Sequence, residues 1–362
     1  MKKKKGICYS GIGGQAVLEG VMMKNKDKYA VAVRKPNNEI EVEIDTYHSF
    51  VHGSKIKELP FIRGVFNFID SLVLGMKCLN FSTTFYEDED EMENDTKADQ
   101  AMSKVFKGKT EKIISVITTI VSFALAIGIF FILPMFLSSL FHKFVRNEAL
   151  EAIIEGVIRI AIFLAYVLLI SLMKDIRRVY QYHGAEHKCI NCIEAGKELT
   201  VHNVMRSSRL HRRCGTSFLL FVVVISIILF FFIRIDSIFM KIVYRVLLIP
   251  VIASISYEII RLAGKYDNPF TRIISLPGML LQKLTTREPD RKMIEVAIAA
   301  VEAVFDWKKY IEEMNQPEEK EETEAENTEV AEAVGEEAET VEVEIEEAEA
   351  ETVETDVKDE EN

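Results

Sequence analysis

The sequence predicts a mainly α membrane protein with four transmembrane helices. A small N-terminal cytoplasmic region with a β-hairpin, an interfacial amphipathic helix and a disordered acidic C-terminal tail complete the expected architecture. Three observations carry this. Four long apolar runs fall within residues 113–257. Hydrophobic residues make up 49% of the chain and charged residues 28%, a mixture that requires apolar and charged stretches to be segregated. Residues 317–362 are built largely of Glu, Ala, Val and Thr, too polar to bury a core.

Charge sharpens the division. The net charge is −12, but residues 317–362 carry 22 Asp/Glu against Lys320 and Lys358, so residues 1–316 are net basic. A basic body with apolar spans suits an anionic lipid bilayer. It does not suit nucleic acid, because no basic stripe is interleaved with aromatics and no nucleic-acid module is present. The cysteines at 8, 78, 189, 192 and 214 are odd in number and scattered, which argues against a disulfide framework. Residues 6–19 lack the apolar core of a secretory signal peptide.

Residues 1–86 form the N-terminal cytoplasmic and interfacial region. Gly11 to Gly20 read as a tight glycine turn leading into a packed segment. Residues 28–35 and 39–47 alternate apolar and polar around Pro36-Asn37-Asn38, which signals a β-hairpin. Residues 60–81 repeat Ile62, Val65, Phe66, Ile69, Leu72, Val73 and Met76 at helical spacing, with Arg63, Asp70 and Lys77 opposite. This predicts an amphipathic helix lying in the membrane interface or packed on the bundle. Residues 87–112 are an acidic, then basic, linker.

Residues 113–261 form the transmembrane domain. The expected spans are Ile113–Phe141, Gly156–Met173, Cys214–Ile233 and Ile238–Tyr257; the first and third are uncharged. Arg159 and Arg245 are expected to snorkel to one membrane face. The spans carry no Asp or Glu at their centres, which disfavours a transporter. Loop 174–213 holds nine Lys and Arg, whereas 142–155 holds Lys143 and Arg146. The bias predicts a multi-pass protein of the bacterial inner membrane with both termini cytoplasmic. Residues 262–316 are expected to hug the membrane and then form a helix from Pro289 to about Glu313.

The chemistry concentrates in the His/Cys-rich loop 174–215. If the second span continues as a helix, His183 and His187 lie one turn apart on one face. His183-Gly184-Ala185-Glu186-His187 matches H-x-x-E-H, the inverted zinc-protease motif. Two imidazoles would ligate a divalent metal, with zinc expected, and Glu186 would act as general base. Three residues compete for the next ligand position: Glu194, His211 and Cys214. Arg212 or Arg213 would steady an anionic substrate. Cys189-x-x-Cys192 is half a zinc knuckle with no second half. The substrate class stays open between a peptide near the membrane and a lipid-linked compound. The rival reading is a non-catalytic scaffold in which the His/Cys cluster is a structural metal site or hydrogen-bond knot.

Five stretches carry a resemblance. GGQAVLEGVMMK (13–24), PFIRGVFNFIDSLVLGMKCL (60–79), YHGAEHKCINCIEAG (182–196), LHRRCGTSF (210–218) and LTTREPD (284–290) resemble the YqhQ-like family of bacterial membrane proteins, a domain-of-unknown-function family. The resemblance covers about residues 6–305. It implies a predicted metal-dependent enzyme and supplies no substrate. Carried onto this chain, its residues are Gln15, Glu19, Arg63, His183, Glu186, His187, Glu194, His211, Arg213 and Cys214.

Overall fold

A computed structural model describes residues 9–49, 59, 61–86, 110–141, 144–145, 147–233, 235, 237–266 and 268–315. The acidic stretch 87–99 and the tail 317–362 lie outside the described residues. Met1–Ile311 form one compact unit; of the second, Glu312–Asn362, the described residues end at Asn315.

The N-terminal region is a four-stranded antiparallel meander in the order β1-β2-β3-β4. Its strands are β1 (Gly13–Val17), β2 (Gly20–Asn25), β3 (Lys28–Arg34) and β4 (Ile40–Thr46). The expected hairpin is β3–β4, with Val31 opposite Glu43. The expected glycine turn is instead two further strands, with Gln15 opposite Met22 and Met22 opposite Val31. Period-two alternation divides the central strands between two cores. Val21, Met23 and Ala32 pack into one core, and Met22, Val31 and Val33 into the other.

The first core is closed by α5 (Lys174–Glu194) and α10 (Arg291–Val304), through Tyr182, Cys189, Ile193, Ile294, Ala297 and Val301. The His/Cys-rich segment is therefore a folded layer and not a loop. It consists of α5, a short α6 (Val201–Met205) and the turn leading to Cys214. The helix foreseen from Pro289 starts two residues later, at Arg291. Asp290 caps it by accepting from Met293 N at 2.9 Å. It breaks at Phe305-Asp306 before α11 (Trp307–Asn315).

The second core is closed by α1 (Ile62–Thr83), through Leu74 and Cys78. A helix forms where one was expected, and its orientation adds a finding. The stripe Ile62, Ile69, Leu72, Val73 and Met76 is exposed, while Gly64, Asp70, Leu74, Gly75 and Cys78 face the protein. The polar side docks on α8 (Ile238–Lys265): Arg63 pairs with Glu258 at 2.5 Å, and Asn67 donates to Tyr257 Oη at 2.8 Å.

Among the described residues, three helical stretches are long and apolar enough to cross a membrane: Ile117–Ser139, Ala149–Ile170 and Ile238–Ala263. The first is composite. α2 (Thr110–Ile127) passes through a π-helical turn, Gly128–Ile132, into α3 (Leu133–Ser139). The expected span Cys214–Ile233 is a shorter apolar helix, α7 (Gly215–Phe231), of 17 residues, because Cys214 and Phe232 cap it. Its length is about 25 Å, against a hydrocarbon core of about 30 Å. Beyond α8, Asn268 caps an amphipathic helix, α9 (Pro269–Thr285), where a looser connection was expected.

The second span differs from expectation in three ways. Asn147 caps α4 (Glu148–Ile170) by accepting from Ala149 N at 2.9 Å, so the helix begins earlier and includes Glu155. It does not run on into the His motif, because Ser171 to Met173 break the chain before α5. Arg159 and Arg245 do not snorkel. Both are buried and share Glu155, at 2.5 and 2.7 Å. Glu155 lay just outside the expected span Gly156–Met173 and sits in the first half of α4.

α5 is held against the strand-like segment 286–290 at Gly184, where a Cβ would overlap the Arg287 carbonyl oxygen. Arg287 N donates to Tyr180 O at 2.8 Å beside it. Because the obstacle is backbone, relief requires the segment to move. Gly184→Ala should lower unfolding stability by about 1–3 kcal/mol, measured by thermal unfolding in detergent. An unchanged midpoint would contradict this close approach.

Candidate metal centre

α5 carries His183 and His187 one turn apart, with ring centroids 4.4 Å from each other. Each ring is oriented by a backbone carbonyl. His183 Nδ1 lies 2.9 Å from Thr285 O, at the end of α9, and His187 Nδ1 lies 2.6 Å from Arg209 O. A carbonyl only accepts, so Nδ1 is the protonated nitrogen in both rings. Each Nε2 is left as a lone pair, the arrangement that second-shell partners impose on metal-binding histidines. Burial holds His187 below the usual histidine range, against the opposing pull of Cys214, which favours the neutral ligand form.

The third donor comes from a different element. Cys214 is the N-cap of α7, and its sulfur accepts from Thr216 N at 3.4 Å. The sulfur sits 3.1 Å from His183 Nε2. Donor atoms of His183, His187 and Cys214 all lie within 4.8 Å of one another. His187 Nε2 is buried with no hydrogen-bond partner. An orphaned nitrogen beside a thiol and a second imidazole lone pair is the donor set of zinc or another borderline-soft metal. The residues therefore fit a metal ion.

The other candidates stand around this group. His211 has its ring centroid 5.6 Å from that of His187, but its Nε2 faces Glu194 Oε2 at 3.6 Å. Its peptide is clamped by the buried Gln282 amide, which donates to His211 O at 2.7 Å and accepts from His211 N at 2.8 Å. Glu194 lies at the far end of an unbroken α5, so the bend it would need to reach the histidines is absent. Its carboxylate accepts from Arg213 and from Ser10 Oγ at 2.8 Å. Burial opposes its ionisation, yet His211, Arg213 and the Ser10 N–H hold it below the usual carboxylate range. Arg213 is committed to Glu194 and stacks on Tyr9 at 4.2 Å, so its charge is already matched. That removes the reason to expect it to steady an anion.

Glu186 points toward the sheet. Its carboxylate is buried against β1 and accepts from Gly14 N–H, and Oε2 has no partner. Burial pushes this carboxyl up to about 7, against the lowering effects of His183 and Gly14. Gly14 permits the contact: a Cβ there would come within 2.9 Å of Glu186 Cγ and 2.6 Å of Met22 O. Cys189 and Cys192 belong to the apolar core, and Cys192 faces Glu198 O at 3.4 Å. Sequence reasoning missed Gly14, Gln282 and the carbonyls of Arg209 and Thr285. Three of these four act through the backbone, which leaves no residue-type signature.

Comparison with known proteins places this architecture. Residues 59–307 match the family described as "Protein of unknown function (DUF1385)". The chain is 34% identical over 292 residues to "Uncharacterized protein YqhQ" of Bacillus subtilis (strain 168), covering 79% of this chain and 89% of that protein. No solved structure matches. With most of its length matched, including α5 and the caps of α7 and α10, the chain belongs to this family of unknown function.

Proposed function

We propose that the protein is a metal-dependent hydrolase of the membrane face, with zinc held by His183, His187 and Cys214. One observation carries the reading: two carbonyl-oriented imidazoles and a helix-capping thiol converge on the buried, unpartnered Nε2 of His187. Three protein donors leave a coordination position for a reactant. A zinc ion held by these residues would supply Lewis acidity.

This chain's own residues do the rest. Glu186 is the proton acceptor, because its buried carboxyl titrates near neutrality and one oxygen is unpartnered. Gly14 holds that carboxyl from β1. Thr285 and Arg209 fix the imidazole tautomers, and Gln282 fixes the segment leading to Cys214. The centre lies where apolar α7 begins, which supports a reacting bond near the headgroup level of a bilayer. A membrane-proximal peptide or a lipid-linked compound is the substrate class this supports.

The membrane arrangement belongs to the same proposal. α7 packs between α4 and α8 and shares Phe163, Val167 and Val223 with α4, which supports its counting as a fourth span despite its length. Four spans, with the basic 174–213 segment on the cytoplasmic side of the inner membrane, put both termini there. The exposed apolar stripe of α1 lies in the interface. A second reading, a structural metal knot in a scaffold, is favoured by the burial of His187 and Cys214.

Elemental analysis of detergent-purified protein tests the centre. The parent should retain about one zinc per chain, and His183→Ala or Cys214→Ser, which remove a ligand outright, should lose more affinity than the roughly 10–100-fold that losing an outer-shell partner costs. Zinc absent from the parent would contradict the enzyme reading and leave the scaffold reading only as a hydrogen-bond knot. Glu186→Gln separates them: metal stays bound, while the phenotype of a chromosomal Glu186→Gln strain matches deletion under the enzyme reading and the parent under the scaffold reading.

Glu186 also sets a pH dependence in the metal-free protein. Its folded carboxyl titrates near 7, above the unfolded value of 4.5. The protonated carboxyl therefore favours the fold, and stability falls as pH rises from 4.5 to about 7 and then levels off. Glu186→Gln should remove that decline in thermal unfolding measured across this range. A parallel decline in both proteins would assign it to other groups.

A further inference from the structure

The helical bundle contains a charged cluster that the metal centre does not use. Glu155 on α4 accepts from Arg159 at 2.5 Å through one carboxylate oxygen and from Arg245 of α8 at 2.7 Å through the other. The remaining contacts are neutral. Arg159 Nε donates to Phe130 O at 3.1 Å, and Arg245 Nη1 to Phe131 O at 3.4 Å, both carbonyls of the π-helical turn. Ser226 Oγ of α7 lies 3.4 Å from Arg159 Nη1. Both guanidiniums lie over the Phe230 ring, each 4.8 Å from its centroid.

The charge does not balance. Two arginines face one carboxylate, and carbonyls, a hydroxyl and a ring face add no formal charge. Among the described residues, Glu155 is the carboxylate that pairs with either arginine. Arg159, Arg245 and Glu155 are 2%, 5% and 8% exposed, so water does not screen the excess. Arg245 Nε is buried with no acceptor, whereas buried N–H groups are almost always paired. Glu155 also lies about 22 Å of helix from the end of α4 that leads to α5, which separates the cluster from the metal centre.

We infer that this cluster is a binding site for a small monovalent anion of the chloride class, seated against Arg245 Nε. The anion supplies the missing negative charge and the missing acceptor together. A phospholipid phosphate carries the same charge, but the near-complete burial of all three side chains favours a monatomic ion over a headgroup with its glycerol and chains.

The test uses the full chain purified in detergent, with chloride replacing gluconate at constant ionic strength and thermal unfolding as the readout. The parent midpoint should rise saturably with chloride, as for a ligand that binds the folded state alone. Arg245→Gln leaves Glu155 and Arg159 as a neutral pair, so its midpoint should not depend on chloride. A flat response in the parent overturns the inference, and so does an equal response in Arg245→Gln. If Arg245→Gln fails to fold, the parent titration decides alone. Added phosphatidylglycerol provides the second arm: a shift produced by that lipid and not by chloride overturns the small-anion assignment.

Discussion

Two imidazole–carbonyl hydrogen bonds organise the head of this protein. His183 and His187 each give the Nδ1 proton to a backbone oxygen, of Thr285 and Arg209 respectively. The same bonds tie α5 to two distant segments, the end of α9 and the approach to α7. Each ring is correctly presented only once its own segment has docked, so the pair requires both. Arg209 then bridges them directly, donating to Thr286 O at 2.5 Å. Gln282, fully buried, locks the peptide of His211 in the same seam. The centre is thus a product of tertiary assembly, although its two histidines are local neighbours.

The sheet enters this assembly through β1. Gly14 lets the strand approach the Glu186 side chain, and the adjacent Gln15 packs its amide against Gly75 of α1. One short strand therefore touches the carboxyl beside the histidines on one side and a helix with an exposed apolar face on the other. Gly184 makes the matching approach between α5 and segment 286–290. Gly14 and Gly184 thus set the spacing of three layers.

Much of this was legible from residue pattern. The apolar runs marked the bundle, and the i, i+4 spacing placed His183 and His187 on one face without knowledge of the fold. The choice among Glu194, His211 and Cys214 was not legible, because it depends on where α7 begins and on which carbonyls meet the rings. β1 and β2 were read as turn and packing because glycine hides strand alternation, and pairing with β3 imposes the strand. Glu155 was missed for a local reason: an asparagine cap starts α4 earlier than its apolar run suggests, carrying the carboxylate into the bundle beside the two arginines.

The central claim is that a thiol and two imidazoles from separate parts of the chain hold one metal. Zinc-edge X-ray absorption on the purified, zinc-containing protein tests it directly. The account predicts a first shell with one sulfur at about 2.3 Å and nitrogen or oxygen donors at about 2.0–2.1 Å. The sulfur component should vanish in Cys214→Ser. A parent spectrum without a sulfur scatterer would contradict the account.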